Sequence, residues 1–243
     1  MSNSINTNVG ALVALASLRT TQSALSVASK QVQTGYRVAD AQDDASTFSV
    51  AQGIRGNLQA FQAVQGSLAN GVGLGTVTQA ALTNISNLIG NLQAKITQLA
   101  DGSIGNDQRT IYAADFSALT NQISNFITQA KYNGVNLLSN GSTAKTFLSD
   151  TSASSLTVNT QSTVNTAFTT FASSGVSSVS SATAALTSLT TFQSTVSTAL
   201  GQNASDTRSL QLQSSFVNSV VDATTTGLGA IVDADIGKAS AQV

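Results

Sequence analysis

ASTFSVAQGIRGNLQAFQAVQGSLANGVGLGTVTQAALTNISNLIGNLQAKITQL, residues 45 to 99, places apolar side chains at Val50, Ile54, Leu58, Phe61, Leu68 and Val72, then at Leu82, Ile85, Leu88 or Ile89, Leu92, Ile96 and Leu99. Steps of three and four residues mark one face of a helix. Gln65 interrupts the stripe, and Gly71, Gly73 and Gly75 form a relaxed, glycine-rich patch in it. One helix over this stretch would run roughly 80 Å at 1.5 Å per residue. A compact chain of 243 residues has a radius of gyration of only about 18 Å, so the stretch predicts a rod.

On the amino-terminal side, Val9, Leu12, Leu15 or Ala16, Leu18, Leu25 and Val32 predict an amphipathic helix over about residues 5–33, interrupted at Gln22 and Ser29 and ending at Gly35. Between the two helices lies GYRVADAQDDAS, residues 35–46, whose Arg and three Asp stand out in a chain with few charges. On the carboxyl side, residues 101–106 read as a turn. Ile111, Phe116 or Asp115, Leu119, Ile123, Phe126 and Ala130 then predict a shorter helix returning antiparallel. Residues 139–181 are rich in Ser and Thr; FLSD and SSLTVNTQS alternate apolar and polar residues, which predicts a short hairpin followed by a Ser/Thr-rich loop. From about Ala184 the spacing resumes at Leu186, Leu189, Phe192 or Gln193, Val196, Leu200, Asn203, Thr207, Leu210, Ser214, Val217, Val221, Thr224, Leu228 and Ile231. That is a repeat near 3.5 residues, the coiled-coil period. The predicted fold is mainly α: an elongated antiparallel coiled-coil bundle with a small hairpin and loop in the middle of the chain.

Apolar residues make up 41% of the chain and charged residues 9%, where about 25% is usual. All eleven acids are Asp, so the Glu–Lys ladders that support solvent-facing helices are unavailable and packing must hold the helices. A net charge of −1 offers nothing to a polyanion, which argues against nucleic acid. With no Cys and no His, thiolate chemistry, structural zinc and the commonest acid–base group are all missing. No catalytic residue, cofactor or metal is expected. No apolar run is long enough to span a bilayer, and the amino terminus lacks the basic start of a cleaved export signal, its first cation being Arg19.

Four motifs then occur in order. SINTNVGAL opens the chain. TGYRVADAQDDAS supplies Thr34, Gly35, Arg37, Val38, Ala41, Asp43, Asp44 and Ala45; AKYNGVNLL supplies Tyr132, Asn133, Gly134, Val135, Leu137 and Leu138; IVDADIGKAS supplies Asp233, Ala234 and Asp235. Together they resemble bacterial flagellin, in particular alphaproteobacterial forms with a short middle region. The resemblance implies a structural subunit of the flagellar filament, secreted without a cleaved signal, self-assembling and supporting motility. It also implies an inner-tube helix at 1–34, a spoke linker at 35–46, a rod domain at 47–138 and 182–243, and a variable region at 139–181. Further implied partners are sister copies, the flagellar export apparatus and its chaperone, and the hook-associated and cap proteins. Hydroxyls in the middle region offer opportunity for O-glycosylation.

Within the spoke, Asp43 or Asp44 can accept from the exposed N–H groups of the following helix, and Arg37 can pair with an Asp across the junction or on a neighbouring subunit. Asn133-Gly134 is a turn signal because both residues tolerate positive φ. Asp233 and Asp235 could form a metal pair on paper, but two carboxylates fall short of the six or more oxygens hard cations take, and an interface role is favoured. Two departures from the family stand out. The chain stops at Val243, so the terminal helix that should pair with the first helix is expected to be absent and residues 1–33 to be disordered in the monomer. Where many flagellins carry an Arg-x-Arg-Glu cluster read by an innate immune receptor, this chain has Asn91, Leu92, Gln93 and Ala94, which implies weak or absent recognition. The competing readings are a flagellin-like surface adhesin holding a glycan on the hairpin, disfavoured by the lack of Trp, and a hook–filament junction protein.

Overall fold

A computed structural model describes residues 8–243. Its elements are α1 (Val9–Thr34), α2 (Ala45–Ala100), α3 (Asn106–Gln129), β1 (Lys145–Leu148), β2 (Ser155–Val158), α4 (Ser162–Ala172), α5 (Val179–Val232) and α6 (Ile236–Gln242). The fold is mainly α, a helical bundle with one antiparallel hairpin in the middle of the chain. Ile5, Asn6 and Thr7 of the opening motif, and the start of the helix predicted from residue 5, lie outside the described residues. The chain divides into two compact units, residues 61–218 and residues 1–60 with 219–243.

In the unit of residues 61–218, four helices meet around one core. From α2 come Leu82, Ile85, Ile89, Leu92, Ile96 and Leu99, all buried as the period predicts. Phe116, Ile123 and Ile127 arrive from α3, and Leu189, Phe192 and Val196 from α5. The turn between α2 and α3 is held by Arg109, which donates to Leu99 O at 2.6 Å and Asp101 O at 3.1 Å, a cation on the carbonyl end of a helix. β1 and β2 pair from Lys145 opposite Val158 to Leu148 opposite Ser155, and Asp150 closes their turn by accepting from the N–H groups of Ser152 and Ser154.

The stretch expected as a Ser/Thr-rich loop instead folds as α4. Its hydroxyls lie outward while Val164, Phe168 and Phe171 are buried. Phe171 meets Phe116 edge-on at 5.7 Å and stacks on Phe192 at 5.9 Å. α5 also starts earlier than the period suggested. Ser178 N donates to Ser181 Oγ at 2.9 Å and Ser181 N to Ser178 Oγ at 3.1 Å, a reciprocal cap three residues apart.

The other unit holds α1, the first turns of α2, the last turns of α5, and α6. Expected disorder gives way to a helix in the described part of residues 1–33, and both ends of α1 are capped. Asn8 Oδ1 accepts from Ala11 N at 3.1 Å, and Gly35, at φ 74°, donates its N–H to Gln31 O at 2.8 Å, the left-handed ending that favours glycine. Only a short helix stands where the family's terminal helix would begin. Residues 236–242 form α6, which packs on α1, with Ala28 and Ala239 both buried.

Candidate functional site

The segment between α1 and α2 is fixed at both of its ends. Tyr36 forms an antiparallel bridge with Asp233. Arg37 N and Val38 N donate to Val232 O at 2.7 and 3.3 Å, and Ala234 N donates to Gly35 O at 2.9 Å. Val38 and Val232 are buried beneath these bonds. Among the described residues Arg37 forms no ion pair, though its charge helps lower Asp44 across the junction; its guanidinium donates to Ile231 O at 2.6 Å. It thereby satisfies a carbonyl in the last turn of α5, where a cation suits the negative helix end.

The three Asp divide the remaining work. Lys30 Nζ lies 2.8 Å from Asp40 Oδ2 and 2.7 Å from Asp43 Oδ1. Asp43 accepts from Ala39 N and Asp40 N through its other oxygen, and Asp40 Oδ1 accepts from Gln42 N at 2.8 Å. The Lys30 ammonium, followed by these backbone N–H groups, holds both carboxyls below the ordinary carboxylate range, while the two carboxylates raise Lys30. All three are therefore ionised at neutral pH. Asp44 alone caps α2, accepting from the hydroxyl of Thr47 and from Thr47 N at 3.0 Å, and the same bonds lower it. Of the two carboxylates considered for that role, Asp44 takes it; Asp43 closes the preceding turn. Lys30 and Val232 escaped sequence reasoning, although Lys30 carries one of only ten cations in the chain and stands ten residues before Asp40.

Asn133 and Gly134 have φ of 47° and 78°, and Tyr132 and Val135 exchange both backbone hydrogen bonds at 2.9 Å. This is the two-residue turn that Asn-Gly favours. Asn136 then donates to Ile127 O at 2.7 Å, closing the end of α3, and Leu137 and Leu138 are fully buried. The motif turns the chain out of α3 and anchors it. Asp233 and Asp235 likewise have structural partners. Asp235 Oδ1 caps α6 by accepting from Lys238 N at 3.0 Å, and Asp233 lies over Gly229, where a Cβ would come within 2.7 Å of Asp233 Oδ2.

The apolar stripe of α1 is largely uncovered. Leu12 is 58% exposed and Leu18 59%, with Val9, Val13, Leu15, Leu25, Val27 and Val32 also exposed. Among its described residues only Ala28 is buried. Eight large apolar side chains exposed on one helix suit an interaction surface.

Residues 5–144 match the family model described as the bacterial flagellin N-terminal helical region. Flagellin FljK of Caulobacter vibrioides is 33% identical over 241 residues, covering 99% of this chain and 88% of that protein. The chain belongs to the bacterial flagellin family. A flagellin of Brucella melitensis is similar to this flagellin at 29% identity over 252 residues, covering 99% of this chain and 89% of the relative. The crystal structure of Bacillus cereus flagellin superposes with a TM-score of 0.45 at 17% identity, covering 73% of this chain and 94% of that one.

Proposed function

We infer that this flagellin is a structural, non-catalytic subunit of the extracellular bacterial flagellar filament, and that α1 is the helix its copies bury against one another. The carrying observation is the row of exposed Leu and Val on a helix capped at both ends. Burying one such side chain contributes about 1.5–3 kcal/mol, so a few suffice to drive association. In this reading α1 is the inner-tube helix and residues 35–46 are the spoke, supported by Gly35, Arg37, Asp43 and Asp44, each of which has a defined hydrogen-bonding role. Residues 47–138 and 182–243 form the rod domain, and 139–181 the variable region. Export apparatus, chaperone, hook-associated proteins and cap proteins are the further partners.

Seeded filament growth followed by negative-stain microscopy tests this. The wild-type chain is expected to lengthen flagellar fragments, and Leu18→Asp, placed on the exposed face, to abolish lengthening while the monomer keeps its helix content. Growth of Leu18→Asp at the wild-type rate would remove α1 as the assembly face.

The same fold presents Asn91, Gln93 and Ala94 outward with no charge, while Leu92 is buried in the core. Weak or absent recognition by the innate immune receptor for flagellin follows. Reporter cells carrying that receptor are expected to stay silent at nanomolar monomer, and a full response at that level would sink the idea.

A further inference from the structure

A groove of about 630 Å³ runs between α2 and α5 within residues 61–218. Ala80 and Ala204 lie in it, and Gln79, Asn84, Arg208 and Gln211 line it with longer polar side chains. Residues 76, 79, 80 and 83 share one face of α2, and residues 204, 207, 208 and 211 one face of α5. Small side chains from both helices leave a trough between longer ones.

The polarity reaches into the seam. Asn203 is fully buried and donates through Nδ2 to Gly75 O and to Gln79 Oε1, both at 2.9 Å. Gln79 has thus committed its carbonyl, leaving its amide N–H groups to serve as donors. Among the described residues, Asn203 Oδ1 and Thr207 Oγ1 are the buried side-chain oxygens without a protein partner, and Thr207 lines the groove. No acid lines it. The ion pairs formed among the described residues are Lys30 with Asp40 and Asp43, and Lys95 with Asp115; Arg208 is in none of them. The hydroxyls of Thr76 and Thr83 donate to Val72 O and Gln79 O, so the donors facing the groove are the Arg208 guanidinium and the side-chain amides; one guanidinium with no anion beside it suits a carboxylate held by charge-assisted hydrogen bonds.

We propose that this groove receives an aspartate side chain from a second copy of this flagellin, with Arg208 as its charge partner and Gln79 and Gln211 as flanking amide donors. Charge complementarity commits the occupant. Every acid in the chain is Asp. Of the exposed ones outside the three ion pairs, Asp101 accepts from Ser103 and Asp235 from Lys238 N, and Asp233 lies over Gly229, which leaves Asp107 and Asp222. The proposal rests on the filament-subunit reading, which places copies side by side.

The test compares wild type, Arg208→Asp, and Arg208→Asp combined with Asp107→Arg or Asp222→Arg in seeded growth, with circular dichroism melting of each monomer. Arg208→Asp is expected to slow lengthening at least tenfold with no change in the monomer's melting, and one of the two reversals to restore it. Wild-type failure to lengthen seeds would overturn the filament reading itself. Wild-type growth with equally fast Arg208→Asp growth would overturn only the groove. Loss that neither reversal restores, or loss that tracks a lowered melting temperature, would also reject an aspartate of a second copy as the occupant.

Discussion

Phe171→Ala is expected to destabilise the monomer by about 3–5 kcal/mol, the range for removing a fully buried aromatic ring. Phe171 has no solvent exposure. It contacts Phe116 on α3 edge-on and Phe192 on α5 face to face, at an interplanar angle of 3°; Phe168 approaches Phe192 from the same helix at 5.8 Å. Removing it leaves a cavity where three helices converge, and α4 has only eleven residues with which to collapse into the gap. A domain is stable by only about 5–15 kcal/mol, so the loss is a large share of the total. Urea unfolding followed by circular dichroism measures it. Phe216→Ala is the control, since Phe216 is 61% exposed and surface changes are usually within about 0.5 kcal/mol. Equal midpoints for the two variants would show that α4 is a loosely held strap and not part of the core.

That expectation concerns a helix that composition hides. Val164, Phe168 and Phe171 stand at spacings of four and three, the same signal that identified α2, but the segment is short and dense in Ser and Thr, residues that compete with helix hydrogen bonds through their hydroxyls. In α4 those hydroxyls turn back onto the helix instead: Thr169 donates to Asn165 O and Thr170 to Thr166 O. The long helices were legible because Leu82 through Leu99 repeat without a break, and Asn203, at a seam position of the α5 repeat, does go inside. Within the junction, Gly35 and the Asp44 cap were legible from local chemistry. Which carbonyl Arg37 would find was not, because Ile231 lies 194 positions away in the chain and only the folded return of α5 brings it there. Lys30 was obscured for a related reason, since its partners belong to the next segment.

The glycines of α2 give the second large expectation. Read as a relaxed patch, Gly71, Gly73 and Gly75 are in fact close approaches. A Cβ at Gly71 would sit 2.8 Å from Leu210 Cδ1, and one at Gly73 2.6 Å from the Tyr132 ring. At Gly75 it would fall 2.1 Å from Thr207 Oγ1 and 3.2 Å from Thr207 Cβ. Gly75→Ala must therefore rotate or displace a β-branched side chain that is stiff at χ1, and it disturbs the bond from Asn203 to Gly75 O. Overpacking costs about 1–3 kcal/mol, against a gain of at most about 1 kcal/mol for alanine in a helix, so the net is destabilising. Gly90, in the same helix, has nothing within 4 Å of its Cβ direction, and Gly90→Ala keeps the whole propensity gain. The same chemical change should thus move the urea midpoint down at residue 75 and up at residue 90, and Thr207→Ala added to Gly75→Ala should recover part of the loss by clearing the space. Midpoints shifting in the same direction at both sites would mean that α2 and α5 do not meet at Gly75 and Thr207.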